Sequence, residues 1–460
     1  MGSSTPSADA RSIPDRLFVH MDRPDGVHLV GEMRFDLSVL GGFSAKFRYA
    51  RVWLQSPEGF AIDPINLPLS LKSTWVETSN KYEKLGVLFD AGPDMWGRTV
   101  VRHQTGVADP AESALLLMGR GNGVGALLFS RTPALSRADL PPYENLPTIE
   151  EDLLRVHQAA HNVFNAVPLP EDQAGLLAGT WSIGGARAKA VMRDLEGGIW
   201  IAKFCEPGAG VDRQRIEFAN LNMARAIGIE GPEVRLVETE LGTVLLVRRF
   251  DRTERLQRLH FASGISLVSA VPEDKRLNTA NDLRNFSYAN LAHIISSVSP
   301  FPEHDRMSLY ARMALNVAVH NTDDHLKNFG FVEHVANGRH MLRLSPVFDV
   351  VTQASSVHYL RIGSAGRQGT MANVLSEPRL FMLTEKGARQ IVDRVVEVVA
   401  HREAYYDAAG MSGRDIDTIN ALIEPIVPRA GQRVDLEEDE AEPPSPRGAA
   451  SRYLGPSMTE

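Results

Sequence analysis

The feature that most constrains the fold is a change of hydrophobic periodicity along the chain. Up to about residue 250, short alternating runs such as GGIWIAKF and EVRLVETELGTVLLVRRFD predict β-strands, interspersed with helices. From about Phe286 onward the helical period dominates, as in YANLAHIISSV, DRMSLYARMALNVAVH and EKGARQIVDRVVEVVAHREAYYDA. A mixed lobe is therefore followed by a mostly helical lobe, and we expect an α+β protein.

Three folded units and two flexible ends are expected. Residues 15–135 form a small α+β module, in which HLVGEMRFDL and KFRYARVWLQ predict antiparallel strands and PAESALLLMG predicts a helix. Residues 136–252 form the mixed lobe, and residues 253–430 form the mostly helical lobe. The ends, 1–14 and 431–460, are rich in small residues and proline and show no hydrophobic period, which predicts disorder.

Composition excludes several classes of protein. The net charge is −8, and residues 431–460 contain seven acidic and three basic residues, which argues against a broad basic face that grips nucleic acid. The single cysteine, Cys205, excludes a disulfide framework within one chain. No apolar leader segment and no stretch of about 18 uncharged apolar residues occurs, so we expect a cytoplasmic protein without a membrane partner.

The most informative motif is HNTDDHLKNFG, which begins at His320 directly after an apolar helical pattern. Asp323 and Asn328 have the Asp-to-Asn spacing of the kinase catalytic loop, in which the carboxylate accepts a hydroxyl proton and the amide holds a metal ion. Lys327 would neutralise charge on a transferring phosphoryl group. Downstream, the strand-like run RHMLRLSPVFDVV contains Asp349 at the place of a second metal-binding carboxylate.

Upstream segments complete a predicted nucleotide site. The turn SIGGARAK contains Ser182, Gly184, Gly185 and Lys189, and its adjacent glycines would let backbone N–H groups approach phosphate oxygens. One strand further on, Lys203 stands where the strand lysine of kinases reaches the α- and β-phosphates.

The helix after this strand and the next strand pair add three expectations. Glu217 is the carboxylate expected to pair with Lys203, and Asp212 is expected to cap the helix. The run LLVRRFDR would link the two lobes, with Phe250 lining an adenine pocket.

Together these residues resemble the HipA-like serine/threonine kinases of bacterial toxin–antitoxin systems. The resemblance covers about residues 17–425, and it rests on motifs that occur in the family's order: GPDMWGR from Gly92, LMGRGNGVGA from Leu117, SIGGARAKA, the strand lysine, RFDR, NTDDHLKNFGF and LSPVFDVV. Arg248 departs from the best-known member, which has an acidic residue there, and the acidic tail lies outside the family pattern.

The resemblance implies a two-lobed kinase-like fold with an extra N-terminal subdomain, using ATP and Mg²⁺. It implies Asp323 as catalytic base, Asn328 and Asp349 as Mg²⁺ ligands, Lys203 as the phosphate-binding lysine, and Ser182 as an autophosphorylation site that switches the enzyme off. It also implies an aminoacyl-tRNA synthetase as substrate, so that translation and growth stop, as in bacterial persistence. The implied partner is a HipB-like helix-turn-helix antitoxin, through which the kinase contacts DNA only indirectly.

Three alternatives remain open. A small-molecule kinase would share the phosphate-binding residues, although such enzymes lack the GPDMWGR subdomain. A catalytically silent corepressor would be expected to lose one of the phosphoryl-transfer groups. A metal hydrolase would use His320, Asp323, Asp324 and His325 as ligands, whereas the kinase interpretation makes His325 a packing or hydrogen-bonding residue and Asp324 a solvated neighbour.

Overall fold

The structure is a computed structural model. It describes residues 13–36, 44–70, 72–119, 121–170, 173, 175–177, 185–206, 208, 210–269 and 284–431. Nearly all residues of the two ends predicted to be flexible lie outside these ranges, as do Ser182 and Gly184 of the predicted phosphate loop. Within the described ranges, no helix is long and apolar enough to cross a membrane.

The N-terminal part folds around a five-stranded antiparallel sheet. Its strands are β1 (Arg16–Arg23), β2 (Gly26–Phe35), β3 (Ala45–Tyr49), β4 (Val76–Thr78) and β5 (Leu127–Ser130). Their spatial order is β4-β3-β2-β1-β5. Between β3 and β5 the chain forms the helices α1 (Arg51–Gln55), α2 (Gly86–Asp90), α3 (Met95–Thr105) and α4 (Glu112–Met118). Leu17, Val19 and Met21 alternate along β1 and are fully buried, as expected for a sheet with one face on a core.

The mixed lobe contains a four-stranded antiparallel sheet. Its elements are α5 (Ile149–Phe164), β6 (Lys189–Arg193), β7 (Ile199–Phe204), α6 (Arg213–Ile227), β8 (Val234–Thr239) and β9 (Gly242–Arg248). The spatial order is β6-β7-β9-β8. Trp200, Ala202 and Phe204 are buried on one face of β7, so the alternation of side chains directs Lys203 to the opposite face. Asp212 caps α6 by accepting the Arg215 N–H at 3.1 Å, as predicted.

The mostly helical lobe contains a small antiparallel sheet as well. Its elements are β10 (Phe261–Ser263), α7 (Gly264–Val268), α8 (Tyr288–Val298), α9 (Pro302–Ala318), β11 (Gly330–Ala336), β12 (Arg339–Leu344), α10 (Met371–Val374), α11 (Glu385–Ala400), α12 (Arg402–Ala408) and α13 (Gly413–Ile423). The strand order is β10-β11-β12. Every residue of α9 from Leu309 to Ala318 is buried, which fixes the position of the loop that follows.

Two local predictions are wrong. The run KFRYARVWLQ is not one strand, because β3 ends at Tyr49 and RVWLQ forms α1. In that helix Trp53 is buried while Val52 is 62% exposed, and over five residues a strand and a helix pattern are hard to tell apart. The strand predicted in RHMLRLSPVFDVV ends at Leu344, and the residues that follow have no regular structure.

The three expected units share hydrophobic cores. One core cluster includes both Leu17 from β1 and Leu291 from α8, and a second includes Trp96 from α3 and Trp200 from β7. A buried ion pair of 2.6 Å between Arg23 and Glu333 joins segments that are 310 residues apart. The N-terminal subdomain therefore packs against both lobes.

The RFDR segment after β9 docks the N-terminal subdomain. Asp251 accepts hydrogen bonds from Arg249 Nη2 at 2.8 Å, from Arg252 Nη1 at 2.9 Å and from the Gly125 N–H at 2.8 Å. Both arginines also donate to the Gly123 carbonyl oxygen, at 2.8 and 3.0 Å. Two motifs that are far apart in the sequence, RFDR and GRGNGVGA, thus form one buried polar contact.

Candidate active site

Three charged side chains from different elements meet in the cleft between the lobes. Lys203 Nζ on β7 lies 2.6 Å from Glu217 Oε1 on α6 and 2.5 Å from Asp349 Oδ1. The Asp349 N–H also donates to Glu217 Oε1 at 3.1 Å. The strand lysine is therefore held between two carboxylates, in the arrangement that kinases use to place a phosphate-binding lysine beside a metal-binding aspartate.

Lys203 attracts both carboxylates, whereas burial and the neighbouring Asp349 carboxylate raise the pKa of Glu217. Burial alone would lower the pKa of Lys203, but the carboxylates of Asp349 and Glu217 outweigh it and hold that pKa above its usual value. Burial alone would raise the pKa of Asp349, but the ammonium groups of Lys203 and Lys189 hold it well below the usual range. Asp349 is therefore ionised and Lys203 protonated at neutral pH.

Two non-glycine residues in the left-handed region flank the site. Asp349 has φ of 58° and His320 has φ of 53°. His320 Nδ1 donates to the Gln353 carbonyl oxygen at 2.7 Å, and the Gln353 N–H donates back to the His320 carbonyl oxygen at 3.0 Å. Such conformations persist only where the surroundings enforce them, and they are concentrated at functional sites.

The predicted catalytic base and its neighbouring amide lie on the loop after α9. The side chain of Asp323 is 55% exposed and adjoins an open cavity of about 340 Å³. Asn328 Nδ2 donates to the Asp323 carbonyl oxygen at 2.8 Å, which fixes the five-residue turn between them. The cavity is lined by Thr322, Asp323, Gln353, Ser355, Val357, His358, Tyr359 and Arg367. An acceptor hydroxyl could therefore reach Asp323 from solvent.

Asp324 is not a solvated neighbour, and that expectation is wrong. Its carboxylate is fully buried and accepts hydrogen bonds from the Tyr288 hydroxyl at 2.7 Å, from His358 Nδ1 at 3.0 Å and from the Tyr359 N–H at 2.7 Å. Adjacent carboxylates therefore have opposite environments, because Asp324 anchors the loop to the core and leaves Asp323 facing the cavity.

The contacts of this loop do not favour the hydrolase alternative. Asp324 points into the core and His320 bonds to the Gln353 backbone, so neither shares a centre with Asp323. His325 Nε2 lies 3.8 Å from Asp323 Oδ1, and its ring packs edge-on against Tyr359.

Lys327 contacts a residue that the sequence did not single out. Its Nζ lies 2.8 and 2.9 Å from the two carboxylate oxygens of Asp94, at the start of α3 in the N-terminal subdomain. Asp94 Oδ2 also accepts the Gly185 N–H at 3.1 Å. Asp94 is the third residue of the GPDMWGR motif, which served only as a family signature. Its position before a helix, next to Pro93, gave no indication of a contact with the catalytic loop.

The described end of the phosphate loop is closely packed. Gly185 has φ of +104°, a conformation that favours glycine, and a Cβ atom there would displace the Lys189 ammonium. Lys189 is buried, and that burial lowers the pKa of its amine. Trp96 Nε1 donates to the Lys189 carbonyl oxygen at 2.8 Å, which attaches the end of this loop to α3.

Phe250 lies where the lobes join. It is half-buried, and its ring centroid lies 5.6 Å from that of Phe348 and 6.4 Å from that of Phe261. Arg248, the residue that departs from the family pattern, pairs instead with Glu254 at 2.7 Å and Glu233 at 3.3 Å.

The residues present fit a nucleotide with its metal. Arg213, the first residue of α6, has buried Nε and Nη2 atoms without a hydrogen-bond partner among the described residues, and its charge acts on both Asp323 and Glu217. A partly buried guanidinium with two such N–H-bearing atoms is suited to a phosphate. Asn328 uses its amide nitrogen on the backbone, which leaves its amide oxygen, and Asp349 offers a carboxylate. Oxygen ligands of these two kinds are those that Mg²⁺ prefers.

Comparison with known proteins shows what the sequence and the fold are similar to. Residues 181–402 match the family model of the HipA-like C-terminal domain. The fold is similar to that of HipA from Shewanella oneidensis, solved in a complex with HipB and its operator DNA, with a TM-score of 0.64, 17% identity, and coverage of 90% of this chain and 98% of that chain.

A curated relative is the Sinorhizobium fredii protein named "Putative kinase Y4dM", which is 26% identical over 250 residues. That match covers 49% of this chain and 56% of the relative, so it spans about half the length of each. The likeness to HipA extends beyond these segments, since it covers most of the chain as a fold. The resemblance predicted from the motifs is therefore confirmed: the fold is similar to that of HipA, and residues 181–402 match the HipA-like C-terminal domain.

Proposed function

We propose that this protein is an ATP-dependent kinase that phosphorylates serine or threonine hydroxyls of proteins in the cytoplasm. The observation that carries the proposal is the position of Lys203 between Glu217 and Asp349, in a chain whose catalytic loop presents Asp323. Phosphoryl transfer to a hydroxyl requires four groups: a lysine, its paired glutamate, a metal-binding aspartate and a base.

Each residue has a role in this mechanism. Lys203, Lys189 and the loop with Ser182, Gly184 and Gly185 would hold the ATP phosphates. Phe250 would contact the adenine, and Glu217 would orient Lys203. Asn328 and Asp349 would hold Mg²⁺, which when bound neutralises charge on the phosphates.

The chain's own acid–base chemistry lies at Asp323. Its carboxylate would accept the proton of the acceptor hydroxyl as that oxygen bonds to the γ-phosphorus and the bond to ADP breaks. Lys327 would stabilise negative charge on the transferring group. The exposure of Asp323 toward an open cavity supports a large acceptor such as a protein segment.

Incubation with Mg²⁺ and ATP, followed by intact-mass measurement, tests the activity. We expect the wild-type protein to gain phosphate and Asp323→Asn to do so about 10²- to 10⁴-fold more slowly, because the amide keeps the size of the side chain but cannot accept the proton. Calorimetry should show that the variant still binds ATP. An Asp323→Asn protein as fast as the wild type would overturn the assignment of the base.

Self-phosphorylation at Ser182 is the regulation that we propose. A dianionic group in a loop that cradles ATP phosphates would repel them and switch the enzyme off. Peptide mapping of the phosphorylated protein should place the phosphate on Ser182. A phosphate found mainly elsewhere would contradict this switch.

The proposed partner is a HipB-like antitoxin, and the proposed substrate is an aminoacyl-tRNA synthetase. The solved HipA with this fold is in a complex with HipB and operator DNA, which supports the first proposal. The second rests on the family resemblance. Phosphorylation of purified synthetases by the wild-type protein, but not by Asp323→Asn, would identify the substrate, and coelution with the antitoxin would test the partner.

A further inference from the structure

One carboxylate of the N-terminal subdomain contacts both sides of the predicted active site. Asp94 accepts the Lys327 ammonium with both oxygens, at 2.8 and 2.9 Å, and the Gly185 N–H with Oδ2 at 3.1 Å. Lys327 belongs to the catalytic loop of the helical lobe, whereas Gly185 belongs to the phosphate loop of the mixed lobe. A side chain from a third part of the chain therefore bridges the two lobes.

The start of α3 strengthens this bridge. The Trp96 N–H donates to the Gly185 carbonyl oxygen at 3.2 Å, and Trp96 Nε1 donates to the Lys189 carbonyl oxygen at 2.8 Å. Gly185 is thus held through both its N–H and its carbonyl group by two residues of one helical turn. The backbone between Gly185 and Lys189 is attached to the N-terminal subdomain at each end.

The surroundings of Lys327 explain why a carboxylate is needed there. Its side chain is 32% exposed, and its Nζ lies 5.3 Å from the centroid of the Tyr82 ring. Burial would lower the pKa of Lys327, but Asp94 outweighs it and keeps the pKa above its usual value. Asp94 therefore keeps the ammonium charged and limits where it can move.

We propose that Asp94 is a positioning residue for phosphoryl transfer. It holds the Lys327 ammonium and the Gly185 amide in fixed positions relative to each other. The reaction therefore depends on docking of the N-terminal subdomain. The proposal rests on the kinase function proposed above. Asp94 acts through Lys327 for the chemical step and through Gly185 for the phosphate loop, and these two actions can be separated by mutation.

Two substitutions at Asp94 separate the actions. Asp94→Asn keeps an oxygen that can accept the Gly185 N–H but removes the charge that holds Lys327. We expect it to lower the rate of self-phosphorylation at saturating ATP by about 10- to 100-fold, with the half-saturating ATP concentration changed by less than about threefold. Asp94→Ala removes both contacts, so it should also raise the half-saturating ATP concentration.

A double-mutant cycle tests whether Asp94 acts through Lys327. Lys327→Met should lower the rate by a similar factor, and the double variant Asp94→Asn/Lys327→Met should be no slower than Lys327→Met alone. If the loss of rate in the double variant equals the product of the losses in the two single variants, the residues act independently and the proposal is overturned.

The same motif offers a matched control. Arg98 Nη2 lies 2.6 Å from both oxygens of Glu112, and those side chains are 21% and 24% exposed, close to the 24% of Asp94. This pair stays within the N-terminal subdomain. Glu112→Gln should leave the rate within about twofold of wild type. An equal loss in Glu112→Gln and Asp94→Asn would make Asp94 merely structural.

Hydrogen exchange distinguishes failure of this inference from failure of the kinase proposal. If the wild-type protein transfers no phosphate, the kinase proposal fails, and the bridge is judged on exchange alone. In Asp94→Ala the amides of residues 185–190 should exchange at least about tenfold faster than in wild type, whereas Glu112→Gln should not change them. Unchanged exchange in Asp94→Ala would overturn the bridge whatever the activity.

Discussion

Asp251 and Asp94 are two of the aspartates that join the N-terminal subdomain to the rest of the molecule, and their surroundings differ. Asp251 reaches from the mixed lobe into the subdomain, where its side chain is 5% exposed and is bonded by two arginines and a backbone amide. Asp94 reaches from the subdomain toward the cleft, where it is 24% exposed and is bonded by one lysine and one amide. A fully satisfied, buried contact serves stability, whereas a partly open contact beside reacting groups can serve chemistry.

The largest effect expected from this comparison is on stability at Asp251. Asp251→Asn would leave Arg249 and Arg252 buried without a compensating charge. We expect the free energy of unfolding to fall by about 3–5 kcal/mol, measured by urea denaturation. A fall below about 1 kcal/mol would show that the two contacts are alike and that burial does not distinguish them.

The sequence predicted neither of these contacts. RFDR and GRGNGVGA were both recognised as motifs, but nothing in their spacing indicated that they bind each other across more than 120 residues. An aspartate before a helix is usually a cap, but the Asp94 side chain makes no capping bond and contacts Lys327 and Gly185 instead. Long-range pairing depends on how the units pack, which local patterns do not encode.

The charged residues of the cleft were predicted more fully than the residues that hold its loops in place. Lys203, Glu217 and Asp349 follow from the residue types and order that phosphoryl transfer needs, and the structure places a carboxylate oxygen of Glu217 and one of Asp349 within 2.6 Å of the Lys203 ammonium. Asp324 was misjudged because neighbouring carboxylates look alike in a sequence. Only the fold decides which of them faces Tyr288 in the core.

The smaller stability effect belongs to Asp94. Because Asp94 and Lys327 are partly exposed, Asp94→Asn should lower the free energy of unfolding by only about 1 kcal/mol or less, measured by the same urea denaturation. Its rate of phosphoryl transfer should nevertheless fall as given above. A loss of stability as large as that of Asp251→Asn would remove the contrast, because the lower rate would then reflect unfolding.

Low pH should reduce the difference in free energy of unfolding between wild type and Asp251→Asn, which reflects the charge of Asp251. Burial would raise its pKa, but Arg249 and Arg252 outweigh it and hold the pKa well below the usual value of an aspartate, about 4. The stabilisation is therefore complete above about pH 4 and is lost as the pH falls below it, because the unfolded chain takes up the proton first. The stability difference between wild type and Asp251→Asn should shrink between pH 7 and pH 3, and a constant difference would contradict the charge-based explanation.

The contacts of Asp94 also determine how late in translation the cleft can be completed. The groups that meet around the cleft are spread from Asp94, through Gly185, Lys203 and Lys327, to Asp349. Asp94 therefore leaves the ribosome long before Asp349. The cleft cannot be completed until Asp349 and the helical lobe that holds it have emerged. Asp94 meets Lys327 only after a loop that is translated more than 200 residues later has emerged. A nascent chain of this protein therefore lacks the complete set of contacts around the cleft until most of it has left the ribosome.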